Sequence, residues 1–132
     1  MGNLLTIDKI ISDRKYYFVD YDSVKQSGLE GIENLFEKDK VIIFYKLKFN
    51  SMELSFFEKM HCSKAEINLY KISDENDFNI ILASYLGYIM GMKPNSEYYI
   101  ISKDNAFKSL KTFWTEKGIE IDIYNDIKSI TE

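Results

Sequence analysis

Apolar residues along this chain fall into two kinds of run, and the two kinds alternate. Short continuous runs predict strands buried on both faces: KYYFV (15–19), KVIIFYKLKF (40–49) and EYYIIS (97–102). AEINLYKI (65–72) alternates apolar with polar positions, and IEIDIY (119–124) completes a set of five strand candidates. Between them the spacing turns helical. SGLEGIENLFEKD (27–39) places Leu29, Ile32, Leu35 and Phe36 at helical intervals. SMELSFFEKMHC (51–62) follows a plausible N-cap at Ser51, and DENDFNIILASYLGYIMGM (74–92) can be capped by Asp74 or Asn76. AFKSLKTFWTEKG (106–118) sets Phe107, Leu110, Phe113 and Trp114 on one side and stops at Gly118. Residues 1–14 carry little pattern, and NDIKSITE reads as a tail.

Strand and helix in strict alternation predict one α/β domain over residues 1–132. The expected architecture is a three-layer sandwich, Rossmann-like, with a mostly parallel sheet of about five strands in the order 3-2-1-4-5. In such a sheet a ligand binds beyond the carboxyl ends of the strands, where the strand order reverses. The residues just past each strand therefore matter most.

Carboxylates stand there. Asp20 and Asp22 follow the first strand, Asp104 follows the fourth, and Asp77 lies at the start of the long helix after the third. Acids gathered at one edge repel and raise one another's pKa values, which a hard divalent cation relieves. Such ions activate water and stabilise both oxygens of a phosphoryl displacement, the chemistry of metal-dependent nucleases. Each acid also has an ordinary reading. Asp104 can cap the helix near residue 106, Asp77 suits a helix N-terminus, and Asp20 and Asp22 can turn the chain.

Composition narrows the field. Of 132 residues, 45% are hydrophobic and 29% charged, as in globular proteins, and no apolar run is long enough to span a bilayer. The single cysteine, Cys62, rules out an internal disulfide and suits a reducing cytoplasm. His61 and Cys62 are adjacent and lack partners for a zinc site. Cys62 is expected to pack at a helix end, and His61 to lie at the surface or a helix end. The net charge of −4 argues against broad attraction to nucleic acid but not against a local basic rim. Lys46, Lys48 and Lys103 are candidates for such a rim. No glycine-rich fingerprint follows the first strand, which argues against dinucleotide binding.

The segments YYFVDYDSV, VIIFY, DFNIILASYLGYIMG and EYYIISKDNAF, in this order and spacing, resemble bacterial PIN-like domains over roughly residues 15–124. The resemblance implies a PIN fold with an acidic pocket for Mg2+ or Mn2+, and endoribonuclease activity where that pocket is intact. By position it places Asp20, Asp77 and Asp104 in the metal pocket as catalytic residues, with Asp22 as a second acid of the first motif. The chain departs from the pattern at Ser23, at Lys46-Leu47-Lys48, and at Ala106, where many relatives carry another aspartate.

Two functions follow as expectations. One is a metal-dependent endoribonuclease acting on RNA, single-stranded by preference, with Lys46, Lys48 and Lys103 holding substrate phosphates. The other is a catalytically degenerate PIN-fold binding or inhibitory protein, its lysines replacing the metal's charge, that acts on a nucleic-acid-related partner. A protein partner or inhibitor fits either reading, and residues 1–14 are a candidate place for a homodimer contact.

Overall fold

A computed structural model describes residues 14–46 and 53–131. The expected strand at 40–49 is described only to Lys46. Residues 1–13, Lys48, the Ser51 cap and Met52 lie outside the described residues.

Five strands form one all-parallel sheet in the order β3-β2-β1-β4-β5. They are β1 (Lys15–Asp20), β2 (Lys40–Tyr45), β3 (Glu66–Lys71), β4 (Glu97–Ile101) and β5 (Ile121–Tyr124). The helices are α1 (Tyr21–Val24), α2 (Leu54–Cys62), α3 (Phe78–Met92), α4 (Phe107–Glu116) and α5 (Lys128–Thr131). The sheet order and helix-covered faces agree with the expected architecture.

Alternation along the strands divides the core in two. Tyr16, Phe18, Ile42, Phe44, Tyr98 and Ile100 pack under Leu82 and Leu86 of α3 and Phe107 of α4. Tyr17, Val19, Val41, Ile43 and Ile101 point the other way, onto Val24, Leu29, Ile32, Leu35, Phe56 and Ile127. Because both faces are covered, the central strands read as unbroken apolar runs. β3, at the sheet edge, is largely exposed, which explains its polar alternation.

Three expectations need correction. Segment 27–39 is not a helix: it forms two 3-10 turns, Gln26–Leu29 and Ile32–Asn34, separated by Gly31 at φ 95°. The helical spacing still buries Leu29, Ile32 and Leu35, while Phe36 is 70% exposed. The tail is also structured. Ile127 is fully buried, its N–H donates to the carbonyl of Gly28 at 3.1 Å, and α5 follows. Finally, Cys62 is exposed rather than packed, beside an exposed His61 at the end of α2. Within α4, Phe107 is buried, Leu110 and Trp114 pack against the core, and Phe113 is exposed.

Candidate functional site

The carboxyl ends of β1 and β4 meet at the reversal of strand order. Val19 pairs with Ile101 in the parallel register, and one step further Asp20 lies beside Ser102. The Ser102 hydroxyl donates to Asp20 Oδ2 at 2.7 Å. The N–H of Ser23 donates to Asp20 Oδ1 at 3.2 Å, which caps α1. Ser102 Oγ in turn accepts the N–H of Asp104 at 3.0 Å. Ser23 Oγ lies 3.3 Å from Ser102 Oγ and accepts the N–H of Lys103 at 3.1 Å. Two serines thus stitch the end of β1 to the loop after β4.

Asp20 is 3% exposed. Burial pushes its carboxyl pKa above the usual value; the hydrogen bonds from Ser102 and Ser23 oppose that rise, and the nearby charge of Asp22 adds to it. No ammonium or guanidinium among the described residues forms a salt bridge with it. Donors from Ser102 and Ser23 alone leave part of a carboxylate's roughly four acceptor positions unused.

Asp104 is exposed and held differently. Its Oδ2 accepts from Asn79 Nδ2 at 3.0 Å and its Oδ1 from the N–H of Ala106 at 2.9 Å. The Asn79 bond first, and the Ala106 bond second, hold its carboxyl below the usual carboxylate range. Asp77 is the N-cap of α3, where its Oδ1 accepts the N–H of Ile80 at 3.2 Å. Asp22 Oδ1 accepts the N–H of Lys46 at 3.3 Å and so ties α1 to the end of β2.

Asp20 and Asp104 are therefore joined through Ser102, and Asn79, two residues beyond Asp77, links the start of α3 to Asp104. Among the described residues no three side chains of His, Cys, Asp or Glu are grouped to hold a metal ion. Lys46 and Lys103 stand on the same rim, each tied by its main-chain N–H, and Lys48 lies outside the described residues.

Sequence reasoning missed Ser102, Ser23 and Asn79 as connectors. For Ser102 a signal existed: YYFVD (16–20) and YYIIS (98–102) share a pattern, and aligning them gives the observed register.

A family model for the PIN domain matches residues 14–124, from the residue before β1 to the last residue of β5. The chain belongs to the PIN-domain family. No curated protein and no solved structure shows a significant match to it. PIN domains are generally nuclease-like, and the rim described above lies where a doubly wound sheet places its ligand. No helix among the described residues is long and apolar enough to cross a membrane.

Proposed function

We propose that this PIN domain is an endoribonuclease that hydrolyses phosphodiester bonds in single-stranded RNA with the help of Mg2+ or Mn2+. The observation that carries the reading is Asp20. It is a buried carboxylate with spare acceptor capacity, and no ammonium or guanidinium among the described residues forms a salt bridge with it. A buried anion of this kind is costly unless a cation joins it.

The donor set suits magnesium or manganese as an incomplete site. Magnesium typically takes one or two carboxylates and fills its remaining positions with water and substrate phosphate. Asp20 and Asp104 would hold the ion, since the donors now on Asp104 are neutral and replaceable. Asp77 would ligate it or orient a water, and Asp22 would support the arrangement from behind. When bound, the ion supplies positive charge to the scissile phosphate and makes water a stronger nucleophile.

The chain's own residues prepare the site. Ser102 fixes the Asp20 carboxylate relative to the Asp104 loop, so little reorganisation is needed when substrate arrives. Lys46 and Lys103, with Lys48, would steady phosphates on the rim.

The test is cleavage of a labelled single-stranded RNA with Mg2+ or Mn2+, comparing the parent with Asp20→Asn and Asp104→Asn. Loss in both variants is expected; unchanged cleavage in both rejects the assignment.

A second reading has its own support, because no group of three potential metal ligands occurs among the described residues, Asp77 serves as the cap of α3, and Asp104 is engaged by Asn79 and by the N–H of Ala106. In that reading the domain is a degenerate PIN-fold protein that binds or inhibits a nucleic-acid-related partner. Calorimetry with Mn2+ separates the two. Binding that Asp20→Asn abolishes favours the nuclease, and no binding at millimolar ion favours the degenerate form.

A further inference from the structure

The geometry points to a base-binding subsite in the trough between the first turns of α3 and α4, taking one unpaired nucleobase of the RNA strand. This inference rests on the RNA-directed reading above. The trough has a volume of about 350 Å³, and its lining includes Asn79, Ile80, Ala83, Ala106, Leu110 and Phe113.

Three observations carry it. The first is continuity. Asn79 and Ala106 line the trough and are also the two residues that hydrogen-bond the Asp104 carboxylate. A strand whose phosphate met an ion held by Asp104 would bring its neighbouring base to the trough.

The second is the unused apolar surface. Ile80 is 63% exposed and Phe113 47% exposed, although α4 otherwise turns its large apolar residues inward. An aromatic ring left in water beside a backbone-binding rim is the arrangement on which single-stranded nucleic acids stack.

The third is charge. The Lys117 ammonium sits 5.4 Å from the centroid of the Phe113 ring, and Lys108 is exposed in the first turn of α4. An apolar surface with an ammonium over its aromatic ring matches a nucleotide, which joins an apolar base to a phosphate. An apolar helix from a protein partner would gain little from that ammonium. The Asn79 amide lines the trough and donates to Asp104 of the acid rim.

Fluorescence anisotropy with a labelled oligouridine, and with an abasic strand of equal length, tests the subsite without turnover if Ca2+, which also takes carboxylate and phosphate oxygens, replaces Mg2+ and Mn2+. Phe113→Ala should weaken oligouridine binding about ten-fold and leave abasic binding unchanged. Phe113→Trp should bind at least as tightly as the parent, and the exposure of Phe113 makes misfolding an inadequate explanation for either result.

Equal affinity of the parent and Phe113→Ala for oligouridine overturns the subsite while leaving the nuclease reading intact. A parent that binds neither strand overturns both. A concentration-dependent dimer that Phe113→Ala dissolves assigns the trough to a second copy instead, and likewise overturns the proposal.

Discussion

Ser102 donates its hydroxyl proton to Asp20 Oδ2 at 2.7 Å, across the junction of β1 and β4. The same oxygen of Ser102 accepts the Asp104 N–H, so one side chain serves both acids. Replacing it by alanine leaves the buried carboxylate with Ser23 alone as donor and removes the side-chain acceptor of the Asp104 N–H. Ser102→Ala should cost about 2 kcal/mol in urea denaturation. It should also raise the Asp20 pKa further, since the bond from Ser102 is the largest influence lowering it.

Asp20 itself should trade stability for function. Its folded pKa is raised above the ordinary 3.8 by burial, so the folded state prefers the protonated form. The stability linked to this group is full below 3.8 and is lost as pH rises through the folded value. Asp20→Asn keeps the shape and removes the charge, so at pH 7 it should stabilise the domain by about 1 kcal/mol. The advantage should shrink on acidification and vanish below 3.8. Melting curves over a pH series check this. Mn2+ should raise the melting temperature of the parent and not of the variant, because only the parent offers the ion a carboxylate there.

Asp104 runs the opposite way. Its pKa is lowered, first by Asn79, so its contribution is present above the unfolded value and lost as pH falls through the folded one. The group is exposed, which keeps that contribution small. Asn79→Ala should return the carboxyl toward its ordinary pKa while changing stability by less than about 1 kcal/mol. Carboxyl NMR titration reads the shift directly.

The parts of this protein that were legible in its sequence are those where one residue's environment follows from its neighbours along the chain. Runs such as VIIFY and YYIIS, apolar at successive positions, announce strands covered on both faces, and their alternation with helices leads to the strand order. Asp20 was legible as a candidate because a charged residue directly ends such a run. The role of Ser102 depends on a neighbour 82 positions away, and a serine after a strand looks like any turn residue until the register is known. Segment 27–39 misled for a different reason. Its apolar spacing does report burial, but Gly28 and Gly31 allow tight turns that bury the same side chains without a helix.

Those turns hold a last testable relationship, between Gly31 and Lys128. Gly31 has φ 95°, and a Cβ there would lie 2.9 Å from the Cα of Lys128, the first residue of α5. Gly118 also has a positive φ, 80°, but a Cβ there would meet nothing within 4 Å. Alanine at either position incurs the left-handed backbone penalty, about 1–2 kcal/mol. Only at Gly31 must α5 also move away, and that movement disturbs Ile127, whose side chain is fully buried and whose N–H bonds to Gly28. Gly31→Ala should therefore destabilise by about 3 kcal/mol and Gly118→Ala by about 1 kcal/mol. Ile127→Ala, which removes the buried side chain itself, should cost about 3 kcal/mol. Urea denaturation of the three variants orders them. Equal losses at Gly31 and Gly118 would mean that the packing of α5 on the Gly31 turn contributes nothing beyond the backbone conformation.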